Sequence, residues 1–327
     1  MTMQSIVGSI VDRLDLRVSV INPNQRVFPF LFDYECTIST EWGTLIGRGT
    51  SCQQDKAIFK AIGETLELYT FVSDKTYETT NGMSFHTDTQ EAKIKSALEL
   101  VERDSYICHF YTRTPFLEIG DETRLTILNP VSEILAKHSI NLFVARMKST
   151  SDVFASIAVT EGKESILNYG LTIGLGCSPN PIESINSAII EAVRSLPAYL
   201  AGQKMERITL TEFYACETVG PVEYSKLSRD LESSCNVLEL FRYQKSEDNI
   251  LSGSIEDLSI TYNFLNMPSI LKDKAYVIKA SSTRLQEIFF SKDASRHLTK
   301  ERLKEFSSVY SPDNPYISYL IFFRDKK

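Results

Sequence analysis

At 327 residues, 43% of them apolar and 24% charged, the chain has the composition of ordinary globular protein and is long enough to bury a sizeable core, which excludes general disorder. A net charge of −7 makes the surface repel polyanions, and no basic patch stands out, so a nucleic-acid partner is not expected. No apolar run reaches the roughly 18 residues a membrane helix needs, the N-terminus interrupts its apolar residues with Asp12, Arg13 and Asp15 where a secretory signal needs an uncharged core, and six well-separated cysteines without a CxxC signal neither a zinc knuckle nor a redox pair; a cytoplasmic protein with reduced thiols is expected.

Residues 1–20 read as a short helix and a strand, and residues 28–34 as an aromatic-rich extended segment that Pro29 marks as a sheet edge. Residues 35–46 alternate as another strand and deliver the chain to a turn at Gly47-Arg-Gly49. The first long helix runs from about Gln54 to Val72 on an apolar stripe of Ala57, Ile58, Ala61, Ile62 and Leu66, with Lys60, Glu64 and Glu67 at i, i+4, i+7 off its centre. A polar loop over residues 73–82 follows, in which Asn81-Gly82 suits a tight turn, and His86 just beyond it reads as exposed.

The second helix carries Glu99 and Glu102 three residues apart on one face, extended by Arg103. Past Asp104 it turns into core packing through Tyr106, Ile107, Phe110 and Tyr111, with His109 a structural residue. Residues 126–146 read as strand, helix from Asn129-Pro130 to about His138, and strand, a βαβ-like rhythm to which residues 153–159 and 165–169 add strands. Gly170-Leu-Thr-Ile-Gly-Leu-Gly176 is glycine-rich but lacks the Gly-Lys-Ser/Thr of a phosphate loop, and reads as a turn. The third helix, residues 181–194, presents Ser187, Glu191 and Arg194, and Pro197 ends or kinks it. Residues 202–327 hold further candidates at 237–241, 260–264, 275–279 and 316–323, with no visible chemistry. No internal repeat shows beyond the three glutamate helices.

Two like charges one helical turn apart repel unless a cation lies between them. Five carboxylates, Glu64, Glu67, Glu99, Glu102 and Glu191, on three helices that each follow a glycine-containing turn form a set able to cage hard divalent cations. The plainer reading of each pair is the wet side of an amphipathic helix.

The three segments GRGTSCQQDKAIFKAIGETLELY, TTNGMSFHTDTQEAKIKSALELVERD and GLTIGLGCSPNPIESINSAIIEAV resemble, in order and spacing, the nucleotide-binding motifs of the YcaO-domain family, over roughly residues 40–200. The resemblance implies an α/β (α+β) fold of mixed β-sheets packed with helices, one domain over residues 1–327, with a nucleotide site between the three motif helices. It implies ATP held through Mg²⁺ on Glu64, Glu67, Glu99, Glu102 and Glu191, with Arg48, Lys60, Arg103 and Arg194 at the nucleotide and Arg103 stabilising charge during transfer. The activity implied is phosphorylation of a backbone amide oxygen in a ribosomally made precursor peptide, leading to azoline-forming cyclodehydration or to a thioamide or amidine. A separate leader-binding, E1-like protein is the implied partner, and homodimers are common in the family.

The chain departs from the family pattern at several places, among them Phe85 and His86, where the family favours small residues. Arg48 replaces a lysine and reads either as a phosphate contact or as a solvent-facing turn residue. Lys60 replaces a small hydroxyl residue, Leu68 and Leu196 replace arginines, and Arg194 replaces a glutamine. These changes keep open a non-catalytic subunit that presents peptide to an active homologue, and a standalone activator of a large folded target is a third reading.

Overall fold

A computed structural model describes residues 14–120, 126–150, 152–162, 170–202, 206–230, 237–241, 253–267, 271, 274–291 and 297–307. These fall into two compact units, one formed by described residues up to 100 with 260–281, the other by 101–259 and those from 282 onward. The helix expected near the N-terminus and the strands expected at 165–169 and 316–323 lie outside the described residues.

The first unit opens with strand β1 (Arg17–Val20), a short helix α1 (Asn22–Val27), and a long hairpin of β2 (Phe32–Thr40) and β3 (Gly43–Ser51). Strand order is β1-β2-β3 and both pairings are antiparallel. Two expectations are corrected. The 28–34 segment is not a sheet edge, because β2 is the central strand. The strand expected over 35–46 is the two halves of a hairpin whose tip, Glu41-Trp42, is closed by the Thr40 hydroxyl donating to the Gly43 carbonyl at 2.8 Å.

Helix α2 (Gln54–Asp74) packs on β3, and its end is set by Lys75 in the left-handed conformation, donating its N–H to Phe71 O. A second antiparallel pair joins β4 (Met83–His86) to β9 (Tyr276–Ser282), with β8 (Ile260–Phe264) on the far side of β9. The core of this unit gathers Phe59, Ile62, Leu66, Met83, Phe85 and Val277. His86, expected exposed, is buried at the end of β4, with its ring 5.4 Å from that of Phe59 and its Nδ1 accepting the Asp88 N–H. Its placement follows from Phe85 and His86 continuing a strand where a loop was expected.

Helix α3 (Thr89–Thr112) spans the second motif, and the boundary between the units falls within it, after Leu100. In the second unit, α4 (Leu128–Ala136) precedes β5 (Asn141–Met147), β6 (Phe154–Glu161) and β7 (Leu171–Ser178), an antiparallel meander in the order β5-β6-β7. The βαβ rhythm is corrected accordingly: connections this short return the chain antiparallel, whereas a parallel pair needs a crossover of a dozen or more residues. Helix α5 (Pro181–Val193) starts on a cap from Asn180, whose side chain accepts the Ile182 and Glu183 N–H groups, with Pro181 in the first turn where its missing donor costs nothing. It stops before Pro197, which lies in the next helix, α6 (Leu196–Leu200). Helices α7 (Leu210–Ala215), α8 (Pro221–Leu227) and α9 (Lys300–Phe306) complete the unit. Val237–Glu239, expected as a strand, is helical.

The glycines of both motifs lie inside strands and not in turns, which corrects the reading of Gly47-Arg-Gly49 and Gly174-Leu-Gly176. A Cβ on Gly49 would collide with the Ala57 carbonyl and the Ala61 N–H, and one on Gly176 with the Ser184 carbonyl. Gly47 stands likewise against Thr65 N, and Gly174 against Ala192 N. Each helix backbone rests directly on a strand stripped of side chains at alternate positions.

The core of the second unit is aromatic, built on Tyr106, Phe110, Phe116, Phe213, Phe241 and Phe306. Two buried polar groups organise it. His109 is structural, as expected: its Nδ1 lies 2.8 Å from Thr114 O and its Nε2 accepts the Lys148 N–H at 2.8 Å, which requires the neutral ring protonated on Nδ1. Burial holds its pKa down to about 4, with the Lys148 charge acting in the same direction and the Thr114 carbonyl against it. Asp104, fully buried, accepts Arg302 Nε at 3.0 Å, Arg302 Nη2 at 2.6 Å and the Gln286 N–H at 2.8 Å, tying α3 to α9. Arg302, from the stretch in which no chemistry was expected, thus serves as the structural partner of the motif's last residue.

Gly49→Ala and Gly176→Ala should each destabilise their unit by about 1–3 kcal/mol in urea unfolding. Gly220→Ala, where a Cβ meets only Glu223 Oε2 at 3.6 Å, should cost far less. Arg302→Met should cost about 3–5 kcal/mol by leaving Asp104 charged and uncompensated, and Asp104→Leu combined with Arg302→Met much less than the single change. Because the folded His109 pKa lies below the ordinary 6.5, the unfolded chain binds the extra proton, so this ring withdraws stability as pH falls from about 6.5 to 4, on the order of 3 kcal/mol in all. Urea midpoints measured across that range, in wild type and in His109→Gln, check the slope.

Candidate functional site

The motif glutamates of α2 are not on a wet face. Glu64 is 9% exposed and Glu67 7%, so each carboxylate must find donors inside the protein. Glu64 Oε2 accepts the backbone N–H of Arg48 at 3.0 Å, and Glu67 Oε1 accepts that of Phe85 at 2.8 Å. In the second unit, Glu191 Oε2 accepts the Leu175 N–H at 2.9 Å. Arg48, Phe85 and Leu175 lie on β3, β4 and β7, each an end strand of its sheet among the described residues. Such a strand presents N–H groups that no neighbouring strand takes up. At each of these three strands a glutamate supplies the acceptor, Glu64 and Glu67 from the first motif helix and Glu191 from the third.

The first and third motifs are copies of one construction. In both, a three-stranded antiparallel meander ends in a strand with Gly-X-Gly at its centre, the glycines seat the following helix, and the N–H of X reaches a glutamate sixteen residues on. X is Arg48 in one and Leu175 in the other. The sequence showed glycines followed by a glutamate helix in both places, but not the shared meander or the N–H contact, which depend on how the strands pair.

Other site residues occupy distinct surroundings. Arg48 faces neither a turn nor open solvent: its Nε lies 3.0 and 3.1 Å from the two oxygens of Asp33, and its Nη2 2.5 Å from Oδ2. Lys60 is exposed on α2, with its Cβ above Gly49 and its charge beside Cys52. Leu68 and Leu196, where the family carries arginines, are buried. Glu99 and Glu102 are half-buried one turn apart on α3. Arg103 Nη2 stands 3.8 Å from Glu102 Oε1, both side chains 14% exposed. Burial pushes the Cys177 thiol well up, and the charges of Glu102 and Asp152 push it further. Arg194 caps the end of α5, half-buried.

Sequence reasoning missed Asp33 and Lys95. Asp33 had a signal, a lone carboxylate in the aromatic run Phe-Leu-Phe-Asp-Tyr. Lys95, an exposed residue, lies one turn before Glu99 on α3; its ammonium is 5.7 Å from the Phe59 ring centroid, and partial desolvation lowers its pKa against the opposing charges of Glu91 and Glu67.

Among the described residues no three His, Cys, Asp or Glu side chains cluster as a ready-made metal cage. The donor set nonetheless suits Mg²⁺, which takes oxygen ligands, keeps several waters, and binds through one or two carboxylates plus substrate phosphates. Ligating carboxylates are commonly fixed by hydrogen bonds of their own, as Glu64, Glu67 and Glu191 are. No helix among the described residues is long and apolar enough to cross a membrane.

Residues 72–230 match the family model described as YcaO cyclodehydratase, ATP- and Mg²⁺-binding. The match takes in the second and third motifs and begins beyond Glu64 and Glu67. Solved structures share the mixed α/β architecture. The YcaO protein of Methanopyrus kandleri bound with AMPPCP and Mg²⁺ superposes with a TM-score of 0.60 at 16% identity, over 87% of this chain and 90% of that one. A heterocyclase in complex with substrate and cofactor gives 0.57 at 12% identity, over 86% of this chain and 52% of that one, so the chain spans about half its length. A chain of the E. coli microcin synthetase McbBCD complex with pro-MccB17 bound gives 0.53 at 12%, over 82% and 88%. Identities this low establish likeness of fold. No curated protein matches the chain.

Proposed function

Since the chain is a YcaO-domain protein, we propose that it uses ATP and Mg²⁺ to activate a backbone amide of a ribosomally made peptide, forming an azoline from Cys, Ser or Thr. The observation that carries this reading is the set of anchored carboxylates: Glu64, Glu67 and Glu191 each fix one oxygen on a strand N–H, which orients the carboxylate toward a cation at no further cost in side-chain order. With Glu99 and Glu102 they are the proposed ligands. Mg²⁺ when bound supplies charge neutralisation for the polyphosphate.

The chemistry follows from the poor leaving ability of an amide oxygen. The peptide's own thiol or hydroxyl adds to the amide carbon, the oxygen takes the γ-phosphoryl group of ATP with release of ADP, and phosphate departs as the nitrogen loses its proton to leave the C=N bond. Within the chain, Arg103, held next to Glu102, stabilises charge developing during transfer, and Arg48, Lys60 and Arg194 contact phosphate. The nucleophile belongs to the substrate. A separate peptide-binding protein is the proposed partner, in line with the complex formed by the microcin synthetase.

One observation favours a second reading. Leu68 and Leu196 are packed inside the protein, so the charges that the family resemblance places at these two positions are absent. A subunit that binds peptide and partner without transferring phosphoryl groups is consistent with that.

Phosphate release from ATP on adding a Cys-, Ser- or Thr-containing precursor and its partner protein, with loss of one water per modified residue, is the expected result. Glu102→Gln and Glu191→Gln should each reduce Mg²⁺-dependent ATP binding by about 10–100-fold in calorimetric titration. Peptide and partner binding without any release of phosphate, unchanged in these variants, points to the presenting subunit.

A further inference from the structure

Building on the reading of a nucleotide site at the motif glutamates, we propose that Asp33 is a positioning residue that holds Arg48 ready for the polyphosphate of the nucleotide. In the β2–β3 hairpin, Asp33 stands opposite Thr50 and Glu35 opposite Arg48. Side chains alternate across a strand, so with Gly47 and Gly49 turned to α2, Arg48 and Thr50 emerge on the other face, together with Asp33. Asp33 is fully buried there. It receives the edge of the guanidinium through Nε and Nη2, and the Thr50 hydroxyl at 2.7 Å.

The third motif supplies an internal control. At the equivalent places it carries Leu175 between the glycines and Ala155 opposite Cys177, yet its backbone N–H still meets Glu191 at 2.9 Å, against 3.0 Å for Arg48 and Glu64. The strand, the helix seat and the glutamate contact therefore form without any ion pair. Burying a carboxylate and a guanidinium carries a desolvation penalty that an apolar pair avoids. The pair in the first motif is thus surplus to the architecture, and it does one thing the apolar pair cannot: it fixes a planar cation, 22% exposed, on the residue whose N–H orients Glu64. The proposed cation ligand, Glu64, and the proposed anion contact, Arg48, are thereby joined through one backbone N–H.

The test uses the full chain with AMPPCP plus Mg²⁺ and with AMP as probes, by calorimetry, alongside melting temperatures. Wild type should bind AMPPCP more tightly than AMP. Asp33→Asn should weaken AMPPCP about tenfold and leave AMP unchanged. Asp33→Ala combined with Arg48→Leu, which copies the third motif, should stay folded within a few degrees of wild type and lose the preference for the triphosphate. Wild-type affinity for AMPPCP in Asp33→Asn, or equal weakening of both nucleotides, overturns the positioning role while leaving the nucleotide site standing. A wild-type chain that binds neither nucleotide overturns the site and the role together.

Discussion

A carboxylate placed under the end strand of a sheet is the interaction on which the rest depends. Arg48, Phe85 and Leu175 each present a backbone N–H to a glutamate of a motif helix. The contact does two jobs at once. It satisfies a buried donor that would otherwise cost about 1–3 kcal/mol, and it pins a negative charge in a defined orientation. A helix that covers a strand edge also removes a template for pairing with another chain.

The glycines follow from the same constraint. At Arg48 and Leu175 the helix backbone lies directly on the strand, and Gly47, Gly49, Gly174 and Gly176 leave room for it. That geometry appears in both units with the same sixteen-residue interval between donor and acceptor. The two copies then diverge in charge: the first adds Glu67 and the Asp33–Arg48 pair, while the third motif has an apolar strand centre and Arg194 at the end of its helix.

The second motif helix links site to stability. Its first half carries Lys95 and Glu99, its middle Glu102 and Arg103, and its next residue is Asp104, bound to Arg302. A fully buried, ion-paired residue thus stands beside residues proposed for chemistry. Substitutions at Asp104 or Arg302 will disturb Arg103 through the helix, without either residue touching a nucleotide.

How much of this was legible follows from what each feature depends on. Helix periodicity is local, so α2, α3 and α5 and the core role of Tyr106, Phe110 and His109 could be read directly, as could the family from the glutamates and glycines around them. Whether Gly-X-Gly is a turn or a strand depends on what packs against it, and local sequence favours the turn; only the helix seated on β3 and β7 decides for the strand. The same holds for His86, which is buried because β4 pairs with β9, almost two hundred residues away along the chain. Asp33 finding Arg48, and Asp104 finding Arg302, are pairings between residues that only a folded chain brings within 3 Å. The sequence by itself determined which residues carry charge and at what helical spacing, because those are properties of a single segment. The tertiary structure decided which of those charges are buried and what each one holds, because burial and partnership are set by segments far apart in the chain.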